Sequence, residues 1–445
     1  MKFNNRMAVL VGILIGIIVV GLTQFVDTSP YRLGASLVLL IIFLTLFLIN
    51  YEFQLLFFIL ATPLLIYVGE RGFNPFSWSD MIIYLMIFIL TLESLVINKK
   101  RKIKSRLFFP VLLFVGWAFF MVLINSTNLL AGVGSFIVHV KYIPLFYILP
   151  VFIDKKIDIE NIIKVILSYV FITAVWGFYL ISNGVGYAGA GWTQRAVSIF
   201  PNPNMLGVYL GSLIPLGLIY WMRKEVNFRN IIYTLIFLTP LLTLIILTSS
   251  RRTWVALILG MLILLWRVKE RKIRFTFIII FALLMIGFLL TMDVGDILLR
   301  IKSIYLIENP RIDSFTDTIR ELSSSTVNLL IGAGPGTYGP ASSLAGETHL
   351  KDSYYHLLFA EYGIMGLLLF MLILGAQIIE IIEAERKNSP MQTLLVNGLA
   401  LAVFVILVSG LVGTTPITSP NNMNLWIFVG LIAALKNIGG NQINE

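Results

Sequence analysis

The sequence predicts an all-α, polytopic membrane protein of about 12–14 transmembrane helices, with one large extracytoplasmic loop that contains short helices. Hydrophobic residues make up 58% of the chain and charged residues only 13%, and the mean hydropathy is +0.91. A soluble domain usually carries about 25% charged residues. The long apolar stretches do not alternate with polar residues as membrane β-strands do. We therefore expect a single helical membrane domain over residues 1–445.

Successive apolar stretches, separated by short polar gaps, indicate the membrane spans in order. The second and third stretches are nearly continuous across Tyr51 and Glu52, so they form either two crossings or one re-entrant pair. The predicted spans are 7–26, 33–50, 53–68, 80–97, 107–124, 133–153, 162–182, 203–222, 230–248, 253–266, 275–292, 357–380, 391–412 and 423–436.

The short gaps are alternately basic and poor in charge. The basic positions are Lys2, Arg6, the NKKRKIKSR run at 98–106, Lys155, Lys156, Arg223, Lys224, Arg229, the RVKERKIR run at 267–274, Arg386, Lys387 and Lys436. Because cytoplasmic loops are enriched in Lys and Arg, this pattern predicts that both termini are cytoplasmic. It also accounts for the net charge of +10, so membrane lipids are expected partners and a nucleic acid is not.

Residues 293–352 form the one long gap, and they fall on the extracytoplasmic side. Within it, Ile312, Phe315, Ile319 and Leu322 recur at helical spacing, which predicts a short amphipathic helix over 311–322. The segment 334–339 matches the pattern G-x-G-x-x-G. It lacks the strand–turn–helix context of a dinucleotide site, so tight turns are the better interpretation, with backbone N–H groups free to meet a phosphate or a sugar.

Cationic residues are concentrated on the same predicted face. They are Arg195, Arg251, Arg252, Arg311 and, inside the sixth span with His139, Lys141. Arginines bind phosphate oxygens in a bidentate way, and an ionisable residue at membrane depth is costly, so we interpret this group as a binding site for an anionic substrate. The alternative for each cation is a structural role at the lipid headgroups.

Acid–base candidates cluster at the end of the loop, and they are Glu347, His349, Asp352 and His356. If 349–356 is helical, His349, Asp352 and His356 share one face. A carboxylate or imidazole there can take a proton from a sugar hydroxyl. The alternatives are a metal site formed by these three residues, a packing role for His356, and a purely structural role for the nearby Glu361. The chain has no cysteine, which excludes disulfides and thiol catalysis.

Four segments together resemble the O-antigen ligase and polymerase family of bacterial surface-polysaccharide enzymes. They are FPNPNMLGVYLGSLIPL at 200–216, TSSRRTWVALILG at 248–260, NPRIDS with LLIGAGPGTYG at 309–314 and 329–339, and DSYYHLLFAEYGIMG at 352–366. In the last segment many members have histidine where this chain has Asp352. The resemblance covers about 200–382; before that it is one of architecture alone.

The resemblance implies a metal-independent, inverting glycosyltransferase without a cofactor, located in the bacterial cytoplasmic (inner) membrane, with its active site on the extracytoplasmic face. Its donor would be a polyprenyl-diphosphate-linked glycan and its acceptor a second glycan or a lipid, with other polysaccharide-assembly proteins as further partners. Arg251 and Arg311 match the family's arginines, which implies diphosphate binding. Asp352 occupies the position of the base, and His349 is the alternative.

Two other functions remain open from the sequence. An O-antigen ligase would use the same chemistry with lipid A core or protein as the acceptor. A lipid-linked oligosaccharide flippase or transporter belongs to a different class and would carry many charges along a central cavity. The aromatic residues of the outer loops, Trp78, Tyr187, Trp192 and Tyr338, serve either to stack on sugars or to anchor the protein at the interface.

Overall fold

The computed structural model describes residues 29–49, 51–68, 76–101, 105–153, 156–187, 195–200, 202–223, 228–268, 310–346 and 353–443, with a few more between 270 and 286. These residues are mainly helical and include no β-strand, which confirms the predicted all-α class. An isolated bridge pairs Tyr187 with Arg195. The predicted span 7–26 and most of 275–292 lie outside the described residues.

The helices are α1 Ser29–Ile49, α2 Tyr51–Val68, α3 Trp78–Arg101, α4 Phe108–Asn125, α5 Leu129–Val140, α6 Leu145–Phe152, α7 Lys156–Ser182, α8 Pro203–Met222, α9 Phe228–Thr248, α10 Arg251–Arg267, α11 Pro310–Leu322, α12 Thr326–Ile331, α13 Tyr354–Lys387, α14 Pro390–Ser409 and α15 Asn421–Ile443. Short 3-10 turns occupy Pro340–Ala345, Gly410–Val412 and Thr415–Ile417.

Nine helical stretches within the described ranges are long and apolar enough to cross a membrane, with α5 and α6 counted as one. Helices α1 and α2 add shorter apolar segments at Ser36–Leu46 and Phe53–Tyr67, and they pack against each other. The chain is therefore a multi-pass membrane protein. Helices α8 and α15 are almost wholly buried, and α14 packs against both of them, so these three helices form the centre of the bundle.

The predicted span 133–153 is broken in the middle. Helix α5 ends at Val140, residues 141–144 form turns, and α6 begins at Leu145. Pro144 explains the break because it has no backbone N–H and disfavours helical geometry at the preceding residue. Lys141 lies at this break, as the cap residue at the end of α5, where its backbone N–H still donates to Ile137 O at 2.9 Å.

The predicted span 357–380 is longer than expected and is kinked. Helix α13 runs from Tyr354 to Lys387, and Gly363 interrupts it with a φ of 67°. A left-handed backbone is readily adopted only by glycine, which explains this residue at the kink. The kink separates a short first section, which contains Glu361, from the long remainder of the helix.

Ion pairs gather at one end of the bundle, which we call the basic end. They are Arg106–Glu383 at 3.0 Å, Lys436–Glu380 at 2.6 Å, Arg267–Glu385 at 2.9 Å and Arg223–Glu160 at 2.8 Å. The first three pairs link the ends of α4, α15 and α10 to the end of α13. This agrees with the basic-gap pattern, which groups these cations on one side.

Candidate functional site

Arg251 and Arg252 begin α10 at a tight turn that follows α9. Ser249 has a left-handed backbone with a φ of 48°, and Ser250 is the residue before the helix, where its Oγ accepts a hydrogen bond from Thr253 Oγ1 at 2.8 Å. A positive φ in a residue other than glycine is strained, and such strain concentrates at functional sites. The turn places both arginines at the end of α10 opposite Arg267, away from the basic end.

Arg195 joins three parts of the chain at this turn. Its Nε donates to Thr248 O at 2.8 Å, and its Nη2 donates to Asn204 Oδ1 at 3.1 Å. Burial lowers the pKa of the Arg195 guanidinium from its ordinary value, and the nearby positive charge of Arg251 lowers that pKa further. The hydrogen bond to Thr248 O holds Arg195 at the turn that leads into Arg251, 56 positions further along the chain.

The amino-terminal ends of α8 and α10 meet beside these arginines. Asn202 caps α8 by accepting from Asn204 N at 2.8 Å, and Pro203 occupies the first turn. A Cβ at Gly207 would lie 2.7 Å from Thr253 Oγ1, so glycine permits the close approach of the two helices. Helix amino termini carry partial positive charge and bind anions. We call this region, formed by Arg195, Arg251, Arg252 and the first turns of α8 and α10, the arginine site.

Arg252 faces the segment that connects α14 to α15. A Cβ at Gly413 would overlap the Arg252 guanidinium, so the two residues are in close contact. The segment continues through buried residues to Asn421, whose Nδ2 donates to Met205 O of α8 at 3.1 Å, and to Asn422, whose Nδ2 donates to Val138 O of α5 at 3.1 Å. Irregular backbone at membrane depth occurs where it is buried in protein or lines a cavity.

Sequence reasoning missed this segment. The side-chain oxygens Thr415 Oγ1, Asn421 Oδ1 and Asn422 Oδ1 are buried and have no hydrogen-bond partner among the described residues. The run TTPITSPNNMN at 414–424, next to the last apolar stretch, was the available signal. Such a concentration of polar groups at a span is expected of a functional region.

Lys141 belongs to a different polar cluster, at the break between α5 and α6. It forms an ion pair with Asp80 of α3, and its ammonium group lies 5.2 Å from the centre of the Tyr84 ring and 5.0 Å from that of Tyr142. Ser419 Oγ donates to the Tyr142 hydroxyl at 3.1 Å, which connects this cluster to the α14–α15 segment. A substrate-binding role for Lys141 stays a prediction; the contacts described are those of a buried ion pair.

The G-x-G-x-x-G segment uses its backbone N–H groups internally. Gly336 N and Tyr338 N donate to Glu361 Oε1 at 3.0 and 3.3 Å, and Ser135 Oγ donates to Glu361 Oε2 at 2.5 Å. Glu361 is fully buried, so it is a satisfied polar group inside the bundle. Tyr338 is also buried, with 6% of its surface exposed, which removes it from the aromatic residues able to stack on a sugar.

The acid–base candidates lie only partly within the described residues. Glu347, His349 and Asp352 are outside them, and so is the side chain of Arg311, although its backbone belongs to α11. Residues 349–356 do not form one continuous helix, which was the condition for His349, Asp352 and His356 to share one helix face. Ser353 has an extended backbone and caps α13, so the helix of His356 begins only after residue 353. His356 itself is buried, and its ring centre lies 4.9 Å from that of Phe315.

Within the described residues no group of three or more His, Asp or Glu side chains is arranged to hold a metal ion. No family model matches this chain, and no match is found among curated proteins. The resemblance to the O-antigen ligase and polymerase family therefore rests on the four sequence segments. The arginine site includes residues from two of these segments, 200–216 and 248–260.

Proposed function

We propose that this protein is a membrane glycosyltransferase of surface-polysaccharide biosynthesis. It polymerises polyprenyl-diphosphate-linked oligosaccharide at the outer face of the cytoplasmic membrane. The observation that carries the proposal is the arginine site, where Arg195 bridges the first turn of α8 and the turn that leads into Arg251 at the start of α10. A site of this composition suits a diphosphate.

In the proposed reaction an acceptor hydroxyl attacks the anomeric carbon of the donor glycan. The new glycosidic C–O bond forms as the bond to the diphosphate oxygen breaks, with inversion at the carbon. Negative charge develops on the departing polyprenyl diphosphate, and fixed guanidinium groups stabilise that charge. Asp352, or His349 as the alternative, accepts the proton of the hydroxyl.

The site also fits a ligase, because only the acceptor differs. A flippase has less support, since its central charge would be Lys141, which is paired with Asp80. A reconstituted assay separates the three functions. A polymerase lengthens lipid-linked repeat units when they are the only substrate, a ligase needs the second acceptor, and a flippase forms no new glycosidic bond.

The first prediction concerns Arg251. Arg251→Ala should lower the rate of polymer formation roughly 30- to 1000-fold, which corresponds to a loss of about 2–4 kcal/mol of transition-state stabilisation. Arg251→Lys should also lose much of the activity, because an ammonium group cannot reproduce the bidentate fork. The measurement is polymer formed per amount of protein in proteoliposomes.

The matched control is Arg320→Ala. Arg320 is an arginine of α11 whose side chain is 83% exposed and pairs with Asp317. Its replacement should leave activity within about twofold, as expected for an exposed pair. Normal turnover in Arg251→Ala, at equal protein amounts, would remove Arg251 from the site and the main support from the proposal.

A further inference from the structure

The outer loop is fastened to the bundle along the Gly332–Tyr338 segment. Ala333 N donates to Ala360 O at 2.8 Å, Gly334 N donates to Glu361 O at 3.2 Å, and Asn125 Nδ2 donates to Gly332 O at 3.0 Å. A Cβ at either Gly332 or Gly363 would lie 2.6 Å from the backbone nitrogen of the other. Both residues have positive φ, so glycine is required twice where the segment crosses the kink of α13.

Glu361 is the side chain at the centre of this contact. Its carboxylate receives hydrogen bonds from two backbone N–H groups of the segment and from Ser135 of α5. One residue therefore joins three elements: the loop, α5 and α13. A fully buried group with these three donors has no surface left to meet a substrate, so its role is not that of a catalytic base.

The contact extends from Glu361 to α11. Tyr338, whose N–H donates to Glu361, donates its phenolic hydroxyl to Glu321 Oε2 of α11 at 2.7 Å. Burial, together with the adjacent Glu321 carboxylate, raises the pKa of the Tyr338 phenol above its ordinary value, which keeps it a donor. The other side of α11 packs through Phe315 against His356 of α13.

We propose that Glu361 is a positioning residue that docks the Gly332–Tyr338 segment onto α5 and α13 and, through Tyr338 and Glu321, sets the position of α11. Helix α11 carries Arg311, so a link between Glu361 and donor binding rests on the proposed function. The docking itself does not depend on that function.

The test uses single cysteines, since the chain has none of its own. Ala341 is buried and Ala345 is exposed in the same 3-10 turn, so Ala341→Cys reports undocking and Ala345→Cys reports the reactivity of the maleimide reagent. The maleimide should label Ala341→Cys roughly tenfold faster when Glu361→Ala is also present than when Glu361 is retained. The reason is that two backbone donors lose their buried acceptor, so the loop opens more often. Labelling of Ala345→Cys should not change.

Glu361→Gln should rescue docking. The glutamine oxygen accepts from Gly336 N and Tyr338 N, and its amide donates to the Ser135 hydroxyl, which can accept as well as donate. Equal labelling rates in wild type and Glu361→Ala, or equally fast labelling in Glu361→Gln and Glu361→Ala, would overturn the proposal. If Glu361→Ala does not accumulate, Ser135→Ala replaces it, with faster labelling of Ala341→Cys expected and an unchanged rate contradicting the docking.

Polymer formation by the same variants connects docking to function. Glu361→Ala should raise the KM for lipid-linked donor more than it lowers kcat, and Glu361→Gln should restore the wild-type KM. An active wild type with an unchanged KM in Glu361→Ala overturns the positioning role. If wild type forms no polymer but Ala341→Cys still responds to Glu361→Ala, the proposed function fails and the docking role is supported.

Discussion

The two ends of the bundle hold their cations in different ways. At the basic end, Lys436 pairs with Glu380, and Arg223 pairs with Glu160. At the arginine site, Arg195 donates instead to the neutral oxygens of Thr248 and Asn204 and lies close to Arg251. A cation paired with a carboxylate is compensated within the fold. The neutral partners of Arg195 do not offset its charge, and the amino termini of α8 and α10 beside it are partly positive, which supports the proposed anion site at that end.

The largest expected effect is a difference in cysteine labelling, which tests on which side of the membrane each end of the bundle lies. The positive-inside rule predicts the basic end in the cytoplasm and α11 outside. In intact cells an impermeant maleimide should label Ser323→Cys, just after α11, and should not label Glu270→Cys, an exposed position in the basic run after α10. Labelling of Ser323→Cys only after lysis would reverse the assignment and the proposed location of the site.

A stability measurement tests whether the cations of the basic end are structural. Lys436→Met should lower the free energy of unfolding by about 3–5 kcal/mol, because it leaves the fully buried Glu380 carboxylate without its ion-pair partner. Denaturant unfolding in detergent measures the change. Arg106→Ala is the control: the Arg106 side chain is 65% exposed, so its removal should cost only about 0–1 kcal/mol.

A double variant sharpens the same test. Adding Glu380→Gln to Lys436→Met removes the stranded charge and should recover part of the lost stability. A Lys436→Met variant as stable as wild type would mean that the buried pair contributes nothing. A structural role would then no longer distinguish the cations of the basic end from those of the arginine site.

The smallest expected effect comes from Gly413→Ala, which probes Arg252. Gly413 has an extended backbone, so alanine is tolerated there, but its Cβ displaces the Arg252 guanidinium. We expect stability to change by less than about 1 kcal/mol, while misplacement of the guanidinium lowers polymer formation about tenfold. Full activity in this variant would assign Arg252 to the lipid interface and narrow the site to Arg195 and Arg251.

Sequence alone determined the fold class, most of the span positions and the amphipathic helix that appears as α11. These features depend on local composition and on the 3.6-residue period, both of which can be read within a short window. The position of Arg251 and Arg252 at the start of a helix was predictable for the same reason. The start of α13 was not predictable in this way. Ser353 caps the helix, although the spacing of His349, Asp352 and His356 is compatible with a helix that begins earlier.

Only the tertiary structure decided which polar groups meet. Lys141 and Asp80 are 61 positions apart, and Ser135 and Glu361 are 226 apart. Inside a membrane domain a buried polar group without a partner is costly, and these partners come from whichever helix packs alongside. Helix order in the sequence does not specify that packing. The G-x-G-x-x-G segment therefore looked available for a ligand, whereas in the fold Glu361 already occupies two of its N–H groups.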